Sequence, residues 1–324
     1  LKKILEAIYE PRFLNCMYGF RPNRGCHDAI KELYKRLNNT KICYIVDADI
    51  KGFFDHMKHE WIIKFLNLYI KDPNIIGLVK KYLKVGVLDG GELMMNEEGS
   101  AQGNIISPIL ANIYMHNVLT LWYKFIITKE CKGDNFLIVY ADDFVAGFQY
   151  KWEAENYYKL LKERMEKFGL QLEESKSHLL QSGAYIARAK QKSGESTRLE
   201  TFDFLGFTFY SGRSRKGMPY IMPKTSSKKF RQKIRDIKVW LYANRDQSLK
   251  KLMGMLNLKL VGHYRYYGIS FNGRMISNYK QQVRELLFKV LNRRSDRKSY
   301  TREGFIEMLK YYPLALPKIY VSLF

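Results

Sequence analysis

Cysteine is scarce in this 324-residue chain, long apolar runs are missing, and acid is in short supply. The four cysteines (Cys16, Cys26, Cys43 and Cys131) have no C-x-x-C spacing. That argues against a disulfide scaffold or a zinc cluster, and reads as reduced thiols in a cytoplasmic protein. His56 and His59 stand close enough to suggest a metal pair, but Asp55-His-Met-Lys-His59-Glu-Trp61 reads better as the opening of a helix. No apolar segment is long enough to cross a bilayer and no signal peptide is visible, so no membrane span is expected and a membrane is not among the expected partners. The shortage of acid is the strongest compositional signal: 32 Asp and Glu face 55 Lys and Arg, a net charge of +23. Such a field attracts polyanions, with nucleic acid the expected partner and an anionic membrane surface the weaker alternative.

What is present is a chain rich enough in apolar and aromatic residues (46% and 15%) to exclude disorder and fill two or three folded units. It opens on Leu1, straight into helix-like Ile4, Leu5, Ala7, Ile8 and Tyr9, as a fragment or processed product would. Helical character continues to about Asn39, around the turn Tyr18-Gly-Phe-Arg-Pro-Asn-Arg24-Gly25. A strand is expected over Ile42–Ile50, then a helix over Glu60–Ile70. Asp72-Pro73 is a cap followed by Pro at the first helical position, opening a helix to Lys84. Residues 86–99 are turn-rich and suit a hairpin. Ser107-Pro108 repeats the cap-then-Pro device before an apolar helix through Tyr123. Two β-prone runs around Asp142 and Asp143 predict a tight hairpin, and Glu153–Phe168 an amphipathic helix stopped by Gly169. A last strand falls within Leu170–Leu180. The order over 42–181 is β-α-α-α-ββ-α-β, which fits a split βαβ, ferredoxin-like sheet in an α+β fold.

The chemistry-bearing residues are acidic. Asp142 and Asp143 stand side by side at the hairpin bend, and the repulsion between them is readily explained if a divalent cation offsets it. Adjacent Asp pairs in turns are also common without any such role. Upstream, Tyr44-Ile-Val-Asp47-Ala-Asp49 ends an apolar strand in acid, and Asp49 is the natural third ligand. Three carboxylates converging from two strand ends suit two Mg²⁺ ions and phosphoryl transfer between nucleotides. Further on, Arg213–Lys238 carries ten Lys and Arg against the single acid Asp236. The remainder is basic and tyrosine-rich, as in His263-Tyr-Arg265-Tyr-Tyr267. Interleaved Arg and Tyr suit phosphate contacts combined with base stacking, against the alternative of a solvated helix face.

Taken together, an ordered series of motifs resembles the reverse transcriptases, and in particular the proteins encoded by bacterial group II introns. The motifs are Tyr18-Gly-Phe-Arg-Pro-Asn-Arg24, Asp49 to Asp55, Ser100-Ala-Gln102-Gly103-Asn-Ile-Ile-Ser107-Pro108, Tyr140-Ala-Asp-Asp143, Gly169-Leu-Gln-Leu-Glu-Glu-Ser-Lys176 and Phe204-Leu-Gly206. The tail from Leu256 to Tyr320 resembles that family's thumb and maturase domain. The resemblance implies a right-hand polymerase: a remaining fingers segment over 1–41, a palm with a ferredoxin-like sheet over 42–212, and a basic helical thumb/maturase domain over 213–324.

It also implies roles for individual residues. Asp49, Asp142, Asp143 and the backbone carbonyl of Ile50 would hold two Mg²⁺, with Mn²⁺ as a substitute. Lys176 would protonate the leaving pyrophosphate, or be a solvated strand-end lysine. Phe54, Gln102, Gly103 and Arg21 would contact the incoming nucleotide. For Phe54 a core role, and for Arg21 and Arg24 a structural one, stay open. Phe204, Leu205 and Gly206 would belong to the primer grip. Lys228, Lys229, Arg231, Arg265, Arg293 and Arg294 would bind RNA.

The implied partners are intron RNA, an RNA template with a DNA or RNA primer, deoxynucleoside triphosphates and, left open, a second copy of the chain in a homodimer. The implied place is the bacterial cytoplasm. Ala101 stands where the family usually has Pro, and Asn104 where Gly or Ser is common. The chain begins after the family's N-terminal fingers motifs and has no nuclease-like segment after Phe324. Two rival readings are a non-catalytic RNA-binding maturase and a reverse transcriptase of another bacterial retroelement or defence system.

Overall fold

A computed structural model of the chain describes residues 1–84, 87–89, 92–94, 99, 105–175, 177–293 and 300–324. Backbone contacts divide it into two compact units: Leu1–Leu205 with Ser211–Ile221, and Gly206–Tyr210 with Met222–Phe324.

In the first unit, helices α1 (Lys2–Tyr9) and α2 (Cys26–Asn39) precede strand β1 (Tyr44–Ala48). The short helix α3 (Phe53–His56), then α4 (His59–Asn67) and α5 (Pro73–Lys84), lead to the small hairpin β2 (Val87–Asp89) and β3 (Glu92–Met94). Next come α6 (Ser107–Met115), two π-helical turns (His116–Thr120 and Tyr123–Ile127) and the turn α7 (Thr128–Glu130). Strands β4 (Asn135–Tyr140) and β5 (Asp143–Phe148), helix α8 (Lys151–Lys167), strand β6 (His178–Gln181) and helix α9 (Ala184–Lys192) complete it. Local chemistry accounts for several of these ends. The Asp72 carboxylate accepts the Asn74 amide at 2.8 Å and so caps α5. Gly169, at φ 77, closes α8 by donating to the Glu166 carbonyl. Ser107 is itself the first residue of α6, and Ile106 holds the cap position. The apolar helix expected through Tyr123 leaves α geometry at His116.

The main sheet has the order β4-β5-β1-β6, antiparallel throughout. Taken in chain order these four strands stand 2-3-1-4, the ferredoxin-like arrangement expected from the element sequence. Val46 and Ala48 of β1, Phe144, Ala146 and Phe148 of β5, and Leu137 and Val139 of β4 enter one core. Ile62, Phe65, Leu110, Tyr114, Tyr157 and Leu161 from the helices fill the same core. Because strand side chains alternate, Ile45 and Asp47 of β1 and Asp143 and Val145 of β5 occupy the other face.

Three further strands, β7 (Phe202–Phe204), β8 (Phe207–Arg213) and β9 (Pro219–Thr225), carry the boundary between the units. The second unit continues as α10 (Ser227–Ala243), α11 (Leu249–Tyr267), α12 (Gly273–Leu291) and α13 (Arg302–Tyr311). The Ser226 hydroxyl accepts the Lys229 amide and caps α10. Leu241, Leu252, Leu256, Leu260, Val283, Leu287 and Phe305 form its buried interior. Asn272 is fully buried and ties the interior together. Its side chain accepts from the Thr225 amide and donates to the Thr225 hydroxyl and the Tyr267 carbonyl, each at 2.8 Å. No described helix is long and apolar enough to cross a membrane.

Candidate active site

The β4–β5 hairpin turns on two residues, Ala141 and Asp142, with Tyr140 paired to Asp143. Ala141 sits at φ 58, a left-handed conformation uncommon for a residue with a Cβ, so surrounding structure must hold it there. The Tyr18-Gly-Phe-Arg-Pro motif supplies that support. Residues 16–18 lie along β4 as an added parallel strand: Val139 donates to the Cys16 carbonyl and Tyr18 to the Val139 carbonyl, both at 2.8 Å. This brings Gly19 onto the bend, where a Cβ would stand 2.5 Å from the Ala141 nitrogen and 3.0 Å from the Tyr140 carbonyl carbon. Asn112 donates to the Gly19 carbonyl at 2.8 Å and fixes it from the α6 side. Glycine is therefore required at position 19 by close approach.

Register places the acids. Ala48 pairs with Phe144, so Asp49 follows the last rung on one strand where Asp143 precedes it on the other. The backbone of 171–173 extends the pairing beyond β1: Glu173 donates to the Asp49 carbonyl and Lys51 to the Gln171 carbonyl, bonds that bypass the carbonyl of Ile50. The Asp49 amide reaches the Ser177 hydroxyl at 3.4 Å.

Electrostatics show that the carboxylates feel one another. Burial raises the Asp142 pKa, its own backbone amide lowers it, and the Asp49 charge raises it again. Burial, followed by the charges of Asp143, Asp203 and Asp49, pushes Asp47 up to about 8. Asp47 and Asp203 thus belong to the acidic cluster beside the three expected members. Asp203 carried a sequence signal: it alternates with Phe202 and Phe204, both buried, and so must point away from them. Among the described residues, no group of three or more His, Cys, Asp or Glu side chains is set up to hold a metal ion. The donor set does fit one in kind, since hard carboxylate oxygens that repel each other suit a hard divalent cation.

Other expected site residues fall around this cluster or away from it. Phe53 is buried in the core, and Phe54, half-buried, packs edge-on against it at 5.4 Å between centroids. Gly99 is pinned to the same segment: it donates to the Met57 carbonyl at 2.9 Å, and its carbonyl contacts the His59 ring at 2.6 Å. Leu205 takes φ 49 and directs its amide to the Asp143 carboxylate at 3.4 Å. A bulky residue in that conformation is strained, and it abuts an expected ligand. Phe204 is buried and Gly206 sits at φ 80.

Arg21 is a correction to the expected nucleotide contact. Its guanidinium is buried, bridges to the Glu10 carboxylate at 2.8 Å and donates to the carbonyls of Leu14 and Met17. With those donors committed, it holds residues 10–21 in place, and the structural alternative is the one its contacts carry. Arg24 likewise donates to Asn15, through both its carbonyl and its side chain. Gln102, Gly103, Lys176 and Arg294 lie outside the described residues.

In the second unit Lys228, Lys229, Arg231 and Arg265 are exposed on α10 and α11. Arg231 returns to the Ser227 carbonyl at 3.2 Å, and Arg293 donates to the Tyr242 hydroxyl at 2.8 Å. Burial raises the thiols of Cys16, Cys43 and Cys131 to about 11, which leaves these three protonated at neutral pH.

Comparison with known proteins agrees with this geometry. Residues 1–209 match the family model "Reverse transcriptase (RNA-dependent DNA polymerase)", and residues 227–306 match "Group II intron, maturase-specific domain". The group II intron-encoded protein LtrA of Lactococcus lactis is 40% identical over 131 residues, covering 40% of this chain and 21% of that protein. A 91 kDa protein in the cob intron of Schizosaccharomyces pombe is 42% identical over 119 residues, covering 36% of this chain and 14% of that one. The matched regions thus span only 21% and 14% of these relatives' length. The solved structure of apo telomerase from Candida tropicalis shares the fold, at a TM-score of 0.50 and 14% identity over 96% of this chain and 52% of that one. Motif order, the 2-3-1-4 sheet with its acidic bend and the match over residues 1–209 converge: this chain belongs to the reverse transcriptase family and carries a group II intron maturase-specific domain behind it.

Proposed function

We propose that the protein copies RNA into DNA by two-metal nucleotidyl transfer, and that its second unit binds intron RNA to assist splicing and mobility. The observation that carries this reading is the strand register that sets Asp49 alongside Asp143, with Asp142 on the adjoining bend under the influence of the Asp49 charge. Asp49, Asp142, Asp143 and the Ile50 carbonyl would hold the ions. When bound, divalent cations stabilise charge on the attacking and leaving oxygens of an in-line displacement. The chain's own part is positioning. Gly19 and Asn112 fix the bend, the 171–173 backbone fixes Asp49, and the Leu205 amide restrains Asp143. Phe54 forms a flat wall suited to excluding a ribose 2′-hydroxyl, while Lys176 is the candidate proton donor to pyrophosphate.

The test is primer extension on an RNA template with Mg²⁺, Mn²⁺ or a chelator. Extension with deoxynucleotides that stops on chelation is expected, and Phe54→Ala admits ribonucleotides while retaining deoxynucleotide use. RNA binding without any extension by the full gene product would favour the rival reading, a non-catalytic maturase.

A further inference from the structure

A cavity of about 540 Å³ opens within the second unit, between α10, α11 and α12. Its wall contains His263, which is 8% exposed and has no hydrogen-bond partner for either ring nitrogen. Two tyrosine rings crowd that imidazole. Tyr279 stacks on it at 3.6 Å and 8°, and Tyr267 covers it at 4.7 Å and 34°. The unmet nitrogens lie on the edge of the imidazole, so it is the edge that offers hydrogen bonds to a ligand. Burial, and then the Lys233 charge, lower its pKa to about 3, so at neutral pH one nitrogen donates and the other accepts. Leaving both unmet in a buried site is costly unless something enters to meet them. Lys233, Asp236 and Lys259 are the charged groups lining the same cavity. Asp236 is held by Gln232 at 2.7 Å and by Lys233 at 3.8 Å.

We infer that this cavity binds one unpaired nucleotide of an RNA, its base against the edge of His263 and its phosphate at Lys233 and Lys259. A fully deprotonated anion such as sulfate only accepts hydrogen bonds and offers nothing to the accepting ring nitrogen, and an acyl chain satisfies neither. Nucleobase edges carry donors and acceptors together, and unstacked bases are what RNA-binding proteins commonly read. The volume lies within the range of about 300–1,000 Å³ usual for small-molecule sites. The inference rests on RNA being the partner of the second unit.

The test titrates the full chain with each of the four nucleoside 5′-monophosphates, and with ribose 5-phosphate and inorganic phosphate as probes lacking the base. At least one nucleotide binds about tenfold more tightly than ribose 5-phosphate, a preference of about 1.4 kcal/mol. His263→Phe keeps the ring stack, removes both nitrogens and abolishes the preference, while His263→Gln restores a donor and an acceptor and recovers part of it. Lys259→Ala weakens nucleotide and ribose 5-phosphate alike. Equal binding of nucleotides and ribose 5-phosphate by the unsubstituted chain overturns the proposal without any variant. So does the absence of nucleotide binding up to about 1 mM, or a preference undiminished in His263→Phe. Salt-sensitive RNA binding alongside any of those results would leave the RNA reading standing and remove only this pocket.

Discussion

Gly19→Ala isolates the contribution of the hairpin bend to catalysis. Position 19 has no left-handed backbone requirement, so the added methyl acts by sterics alone. Its Cβ would stand 2.5 Å from the Ala141 nitrogen and 3.0 Å from the Tyr140 carbonyl carbon, both backbone atoms of the bend that carries Asp142. Ordinary contact needs about 3.5–4.0 Å, so roughly 1 Å must be absorbed by moving the bend or residues 16–20. Overpacking of this kind costs about 1–3 kcal/mol of stability. A displacement of about 1 Å at reacting groups costs about 10²-fold in rate. The expected result is therefore a folded protein with single-turnover primer extension slowed about 100-fold and RNA affinity unchanged. Gly77→Ala is the control: nothing lies within 4 Å of the methyl it would add on α5, and helix propensity favours Ala by about 1 kcal/mol. Urea unfolding and extension measured on both variants separate the two effects. Unimpaired extension by Gly19→Ala would refute the argument that this contact positions the acids.

Two further outcomes are expected. Arg21→Met leaves Glu10 without its buried partner and should destabilise the first unit by about 3 kcal/mol in urea unfolding; a change below about 0.5 kcal/mol, the usual range for a surface substitution, would return Arg21 to the nucleotide contacts. RNA affinity should fall steeply with salt, with a slope of about −0.7 to −0.9 per phosphate neutralised, and replacing Lys228, Lys229 and Arg231 together should flatten that slope for every RNA tested.

The sheet was legible because its signals are local. Short apolar, β-prone runs mark β1 and the hairpin, and Asp72-Pro73 and Gly169 mark helix ends by caps that the structure retains. Arg21 was not legible, because its ion partner Glu10 lies eleven residues back with no periodic relation to it. The π-helical turns after Met115 have no composition signal in an apolar stretch. Strand β9 was hidden by the basic run of which it forms part, since charge counting weighs Lys224 and ignores the buried alternation of Pro219, Ile221, Pro223 and Thr225. Asp47 and Asp203 were in view but unused. Their part in the acidic cluster depends on register and on the return of the chain at β7, which motif spacing does not encode. Nor does the unmet edge of His263 show in sequence, where it reads as one more ring in an aromatic run.

The most direct measurement of the central claim is single-turnover primer extension by Asp142→Asn and Asp143→Asn, with RNA affinity measured on the same preparations. Each change keeps the side-chain shape and removes one charge from the proposed metal cage. At 1.36 kcal/mol per decade, a loss of several kcal/mol of transition-state stabilisation slows the reaction by at least ~10³. The account predicts that loss in both variants with RNA binding intact. Near-normal extension by either one would contradict it.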